Sequence, residues 1–420
     1  MSSPRRIQIG PELAPWLRDG PLPRLLDVLD RDGEEARVVG GAVRNTLLGE
    51  PVGEIDIATT ALPDEVVRRA SAAGFKPVPT GVDHGTITVV VGGTPFEVTT
   101  LREDVETFGR HARVAFGRNW QHDAERRDFT MNALYASRDG TVHDHVGGLE
   151  DLAARRVRFI GDPARRIEED YLRILRFFRF HGAYGDGGLP YSAGLSACIA
   201  ARAGLETLSR ERVRAELLKL LPVTHAVPAL ASMSEAGLLV MVLGGVPRLA
   251  SFANLGKLEH ELSLAPDPVR RLGALAVTTT EDAERLRERL RLANAEYDRL
   301  ASMADRWWRI SAATGMHDAR VLIYRLGPDK FLDRVLLAWS RSWTEGVADD
   351  RWHDLVFLPG RWTAPALPLK AADFIARGVA KGPALGAALR AAEEAWISED
   401  FPMDAESIER IAAAALGAAE

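Results

Sequence analysis

The chain changes character near residue 150. Before that point, short β-rich runs alternate with helical stretches; beyond it the sequence turns Ala/Leu/Arg-rich with helical spacing almost to its end. Strands confined to one end and helices to the rest predict an α+β fold: a head of mixed sheet and helices, followed by an all-helical remainder. At 420 residues the chain exceeds one typical core, which predicts two to four domains. Helical breaks are expected at GDP (161–163), YGDGGLP (184–190), VTHAVP (223–228), GGVP (244–247) and LAPDP (264–268), with no fixed repeat.

Within the head, RVV (37–39) reads as a strand running into Gly40 and Gly41, followed by a short helix closed by Gly49. Pro63, Asp64 and Glu65 make a favourable first helical turn, and Gly74 marks that helix's end. TITVVV and FEVTTL flank Gly92-Gly93, a hairpin signal. Residues 102–125 mix both charges without a sustained period and read as a mobile loop.

Chemistry enters with GEIDIATTA (53–61). As a strand it sends Ile55 and Ile57 to one face and both Glu54 and Asp56 to the other. Two like charges on one patch are most simply held ionised by a divalent cation; an ordinary amphipathic strand with a solvated acidic face is the alternative. In FEVTTL, Glu97 alternates with Phe96 and Val98, so a third carboxylate can join them; a plain surface glutamate is the alternative. Glycines 40 and 41 at a strand–helix junction let backbone N–H groups approach phosphate, with Arg44 following. Together these residues fit a metal-bound triphosphate and nucleotidyl transfer assisted by two Mg²⁺. No Gly-Lys-Ser/Thr follows the glycines and no G-x-G-x-x-G is present, so neither a Walker loop nor a dinucleotide fold is indicated.

The motifs VGGAVRNTLLG, EIDIATTA, PTGVDHGTITVVV, FEVTTLR, RRDFTMNALY (126–135), GGLEDL (147–152), RRIEEDYLRILRFFRF (165–180) and SRERVRAELLK (209–219) carry a resemblance. In this order they resemble the class II tRNA nucleotidyltransferases, the CCA-adding enzymes and related bacterial poly(A) polymerases. The resemblance covers about residues 37–221, with an echo at 378–397, and residues 222–374 match little. It implies a polymerase-β-like nucleotidyltransferase head (1–150), a helical neck that selects the base (151–225), and a helical body and tail that bind tRNA (226–420). It further implies CTP and ATP as substrates, tRNA as partner and Mg²⁺ as cofactor, with metal held by Glu54 and Asp56 and with Glu97 as third catalytic carboxylate. Gly41, Arg44, Arg127, Asp128, Asp170, Arg173, Arg176 and Arg179 fall at nucleotide-binding positions. Glu54 departs from the family's usual Asp, shifting the carboxylate by about 1.5 Å, and Asn45 stands where Asp commonly follows Val-Arg.

Asp170 and Arg173, three apart on an expected continuous helix, would lie side by side on one face. Cytosine and adenine each present an amino donor beside a ring-nitrogen acceptor, whereas uracil and guanine present the reverse. An acceptor-only Asp beside a donor-only Arg therefore matches CTP and ATP and mismatches UTP and GTP. Asp128 is a candidate for the ribose 2′-hydroxyl, or simply a helix N-cap. Arg179 could instead face RNA phosphate, and Arg155, Arg156, Arg158, Arg165 and Arg166 are candidates for tRNA near the site.

Other features are expected to be structural. His143, Asp144 and His145 alternate on a strand; His317-Asp318 and His353-Asp354 lack the partners of a phosphohydrolase site; Trp307, Trp308, Trp339, Trp343 and Trp362 read as helical core. The one cysteine, Cys198, excludes an intramolecular disulfide and reads as a buried packing residue. A net charge of −6 restricts any nucleic-acid contact to a local basic patch. The N-terminus lacks an apolar signal region, and a cytoplasmic location is expected. Poly(A) addition, addition of only A or only C, and a catalytically silent NTP- or RNA-binding protein remain open alternatives.

Overall fold

The computed structural model describes residues 5–10, 12–81, 85–108, 111–343 and 350–417, with backbone only at 103–108 and 111–115. Residues 82–84 of the PTGVDHG motif lie outside the described residues. The chain forms two compact units, Met1–Pro247 with Arg289–Arg291, and Arg248–Glu288 with Leu292–Glu420.

The first unit is built on an eight-stranded sheet of order β1-β10-β9-β2-β3-β6-β5-β4. In chain order its elements are β1 (Arg5–Gln8), α1 (Pro21–Leu29), β2 (Ala36–Val39), α2 (Gly41–Leu48), β3 (Asp56–Thr59), α3 (Pro63–Ala72), β4 (Lys76–Gly81), β5 (Thr86–Val91) and β6 (Thr94–Thr100). There follow β7 (Arg102–Phe108), β8 (His111–Phe116), α4 (Trp120–Glu125), β9 (Leu134–Ala136), β10 (Thr141–Asp144) and α5 (Gly148–Ala153). Gly92 and Gly93 both take positive φ, 58° and 87°, as the tight β5–β6 turn requires. β3 and β6 are the parallel pair, which places Asp56 directly beside Glu97.

Residues 102–125 are not a loop. β7 and β8 pair antiparallel from Arg102↔Phe116 to Phe108↔His111, and α4 follows, capped by Asn119 whose Oδ1 accepts from Gln121 N at 2.9 Å. Mixed charge obscured the strands because a two-stranded ribbon needs no buried face to show alternation.

After the sheet, in chain order, come α6 (Pro163–Glu169), α7 (Leu172–Tyr184), α8 (Ser192–Ala200), α9 (Arg210–Leu220), α10 (Ala226–Glu235) and α11 (Leu238–Leu243). RRIEEDYLRILRFFRF is thus two helices rather than one. Asp170 is extended (φ −157°, ψ 105°), and its Oδ1 accepts from Leu172 N at 3.1 Å, a cap that starts α7 afresh. An aromatic cluster binds α7 to the head: Phe129, next to Asp128, lies 4.9 Å from Phe159, which stacks on Phe177 at 5.4 Å. Cys198 is buried in α8, and burial pushes its thiol up.

The second unit is helical throughout its described residues. Its core contains a buried ion network in which Asp333 Oδ1 accepts from Arg270 Nε at 2.9 Å and Glu259 Oε2 from Arg271 Nε at 2.7 Å. Trp339 stacks on Trp352 at 5.7 Å, and Trp396 is fully buried with Phe374. Trp308 departs from the expected core placement at 60% exposure. Among the described residues, no helix is long and apolar enough to cross a membrane.

Candidate active site

Three carboxylates gather where β3 meets β6. Ile57 and Val98 point into the core, so their neighbours Asp56 and Glu97 both emerge on the opposite, exposed face, and Glu54 emerges just before the strand begins. Asp56 is exposed by area, yet protein crowds its inner side; that desolvation, then Glu97, raises its pKa, Arg127 opposes, and Glu54 adds to the rise. Among the described residues, no three His, Cys, Asp or Glu side chains are already arranged to hold a metal. The donor chemistry still fits a hard divalent cation, since oxygen-only carboxylates that repel one another accept one readily when phosphate and water complete its shell.

Arg127 is the guanidinium that Asp56 feels. Gly40 takes a left-handed φ of +71°, which favours glycine at the strand–helix turn that lies beside Arg127. Asp123 on α4, 1% exposed, holds the arginine: Oδ2 accepts from Arg127 Nη2 at 3.1 Å and from the Tyr135 hydroxyl at 2.8 Å. Its other oxygen accepts from Arg126 Nε at 2.8 Å. Burial opposes ionisation of Asp123, but Arg127 and Arg126 outweigh it and hold the carboxyl below the usual range.

Arg44, at the start of α2, is drawn inward. It is buried, donates to Asn132 and Asn45, and reaches the Tyr184 hydroxyl at 2.6 Å. Asn132 Nδ2 in turn donates to Asp128 Oδ1 at 2.9 Å, and Arg176 Nε to Asp128 Oδ2 at 2.9 Å. Asp128 also accepts from Phe129 N at 2.8 Å, so a local turn bond and an inter-element ion pair coexist at this residue. Arg179 Nε donates to the buried Glu216 of α9 at 2.7 Å, with Arg176 Nη1 3.7 Å from the same carboxylate.

Asp170 and Arg173 do not share one helix face, because the chain breaks between α6 and α7. Arg173 N still donates to the Asp170 carbonyl at 3.0 Å, which keeps the residues adjacent. Asp170 Oδ2 accepts from Arg212 Nη2 at 2.7 Å, and Arg173 Nη1 reaches Glu169 Oε2 and the Arg166 carbonyl, both at 2.6 Å. Side chains of both stay partly accessible, 33% and 17%. A cavity of about 740 Å³ is lined by Glu169, the partner of Arg173, with Arg166, Arg165, Arg126 and Arg158 among others, but not by Asp170 or Arg173 themselves. Arg156 and Arg158 are committed to structure: both pair with fully buried Asp151.

The HDH stretch is structural. Asp144 accepts from the backbone N–H groups of Val146, Gly147, Gly148 and Leu149 at 2.9–3.1 Å, and buried His143 bonds to Ser137 Oγ at 2.7 Å.

The matches to known proteins agree with this geometry. Residues 36–158 match the family model "Poly A polymerase head domain", and residues 195–252 match "Probable RNA and SrmB- binding site of polymerase A". The mitochondrial CCA tRNA nucleotidyltransferase 1 of Homo sapiens is 33% identical over 408 residues, covering 95% of this chain and 91% of the human protein. This chain belongs to the class II tRNA nucleotidyltransferase family. The CCA-adding enzyme of Geobacillus thermodenitrificans is 43% identical over 215 residues, 50% of this chain and 51% of that one. Among solved structures, the Bacillus stearothermophilus CCA-adding enzyme in complex with CTP superposes with a TM-score of 0.72 at 26% identity, covering 96% and 98% of the two chains.

Membership makes this chain a nucleotidyltransferase of a family that uses a divalent metal. It also throws into relief residues that the sequence reading passed over: Asp123, Asn132, Tyr135, Glu169, Arg212 and Glu216 all hold candidate site residues in place. For Asp123 a signal existed, since Asp at i with Arg at i+3 and i+4 is a helical ion-pair spacing. Changing Asp123→Asn is expected to lower stability by about 3 kcal/mol, because it leaves two arginines short of a buried partner. It should also raise the nucleotide KM about tenfold; a thermal melt and a nucleotide titration measure the two effects.

Proposed function

We propose that this nucleotidyltransferase builds the CCA end of tRNA, adding C, C and A from CTP and ATP and releasing pyrophosphate. The observation that carries the reading is the in-register Asp56–Glu97 pair beside Arg127, in a chain aligned to 91% of a CCA tRNA nucleotidyltransferase.

Asp56 and Glu54, with Glu97 beside them, would hold Mg²⁺, which when bound supplies charge for the transferring phosphate and a more acidic 3′-hydroxyl. Gly41 and its neighbour Gly40 let the α2 N-terminus approach the triphosphate, and Arg127 neutralises it from the other side. The tRNA 3′-oxygen attacks the α-phosphorus, its proton leaves to solvent or an acidic neighbour, and the bond to pyrophosphate breaks. Asp128, Arg176, Arg179 and Arg44 act as the frame that ties the head to α7. Asp170 accepts from the base amino group and Arg173 donates to its ring nitrogen, so pairing edges rather than a template choose C and A. On this reading residues 1–150 are the catalytic head, 151–225 the base-selecting neck and 226–420 the tRNA-binding body and tail, in a cytoplasmic enzyme.

The test is release of pyrophosphate from CTP and ATP, but not UTP or GTP, dependent on Mg²⁺ and on a tRNA transcript lacking CCA. Absence of tRNA dependence would overturn the proposal. Glu54→Asp is expected to keep or raise the rate of that reaction, because the shorter acid restores the family's usual geometry. A single-turnover comparison reads this directly: a fall below a tenth of the parent rate would contradict the geometric argument, and a parent-like rate in Glu54→Ala would remove Glu54 from the metal set.

A further inference from the structure

In the second unit, the turn Trp307–Arg309 between the helices Asn294–Ala304 and Met316–Leu326 opens a concavity of about 650 Å³. That volume suits a molecule of nucleotide size. Its lining combines apolar Ile310, Val321 and Leu322 with basic Arg306, Arg309 and Arg325; Val321 and Leu322 stand one helical turn before Arg325 on the same face. Arg309 and Arg325 are exposed, and neither forms an ion pair among the described residues. Of the two carboxylates in the lining, Asp305 is engaged, 3.6 Å from Arg306 and 3.3 Å from Arg334, and Asp318 sits in the first turn of the following helix. The unit thus offers two uncompensated guanidinium groups beside apolar side chains in a chain whose net charge is −6.

The turn itself is held in an unusual form. Arg306 takes a left-handed conformation at φ 54°, and Trp307 is pinned by its Nε1 donating to the Thr278 carbonyl at 3.0 Å. Trp308 beside it is 60% exposed and edge-on to Trp307 at 6.0 Å between ring centroids. A solvent-facing indole that directly precedes the unpaired Arg309 is the chemistry that takes an unstacked base and its phosphates.

We propose that this concavity takes one unstacked nucleotide of the RNA substrate, with Arg309 and Arg325 on its flanking phosphates and Trp308 stacked at the rim. The assignment rests on the proposed tRNA function and gives the second unit a defined RNA contact.

The experiment measures anisotropy of a labelled tRNA transcript lacking CCA, bound to the full chain across a salt series. For Arg309→Ala/Arg325→Ala the Kd is expected to rise about tenfold, and the log–log salt slope to become shallower by about 1.4, two phosphates at about 0.7 each. Trp308→Ala should weaken binding at least fivefold with the slope unchanged, and kcat and the KM for CTP at saturating tRNA should match the parent in all variants. Because the altered side chains are exposed, melting temperatures should not move; Arg325→Glu provides a stronger reversal. An unchanged Kd and slope in both arginine variants would overturn the site, as would loss of free ATP binding alone. A parent protein that does not extend tRNA would instead overturn the functional reading, and the binding ratios would still decide the site.

Discussion

Replacing Asp56 by Asn is expected to abolish nucleotide addition while leaving the fold at least as stable as before. Loss of a metal-binding carboxylate removes several kcal/mol of transition-state stabilisation, a fall of about a thousandfold or more in rate. The stability effect has the opposite sign. Crowding by protein and then the neighbouring Glu97 raise the Asp56 pKa in the folded chain. A raised carboxyl contributes full stability only below its unfolded pKa and loses it as pH climbs through the folded value, so at neutral pH the ionised group is a burden. Asn relieves that burden, and the variant should melt no lower than the parent at pH 7 and lose this advantage in acid. Single-turnover rates and melts across pH 4–8, a window set at roughly the carboxylate range, check each sign. A variant with normal turnover would remove Asp56 from catalysis.

The second large effect concerns base choice. Asp170→Ala and Arg173→Ala should each erode discrimination of CTP over UTP by about 10- to 100-fold, the equivalent of about 1–3 kcal/mol for a mismatched polar group. Asp170 also caps α7 through Leu172 N, so the alanine variant should melt lower as well. A capping role alone would lower the melting point without altering the ratio of kcat/KM for the two nucleotides. Measuring both quantities in the same variants therefore separates structure from recognition.

Much of the head was legible because its signals are local. The Gly40-Gly41 junction, the αL cap at Gly49, the Pro63 helix start and the Gly92-Gly93 hairpin all depend on one or two residues whose backbone preferences are decisive. Alternation around Glu97 correctly placed it outward, but only the parallel pairing of β3 with β6 brings it beside Asp56, and sequence separation hides such pairing. The break at Asp170 was readable in principle, as an acidic residue ahead of an apolar helical run is a preferred N-cap. Apolar periodicity continuing on both sides masked it. Arg44's partners were hidden for another reason: Asn132 and Tyr184, which it bonds, lie 88 and 140 residues away in sequence. The strands of 102–108 and 111–116 were missed because their mixed charges show no alternation, and Asp123 because its pairing with Arg126 and Arg127 shows only once the helix at Trp120–Glu125 is recognised.

The most direct test of CCA addition uses Mg²⁺, each NTP singly and mixed, and three tRNA transcripts ending before CCA, after C and after CC, with product length read at single-nucleotide resolution. The account predicts completion to two C's and one A, termination there, and no use of UTP or GTP. A ladder of many A's, addition confined to one of the two bases, or no extension of any transcript would contradict it.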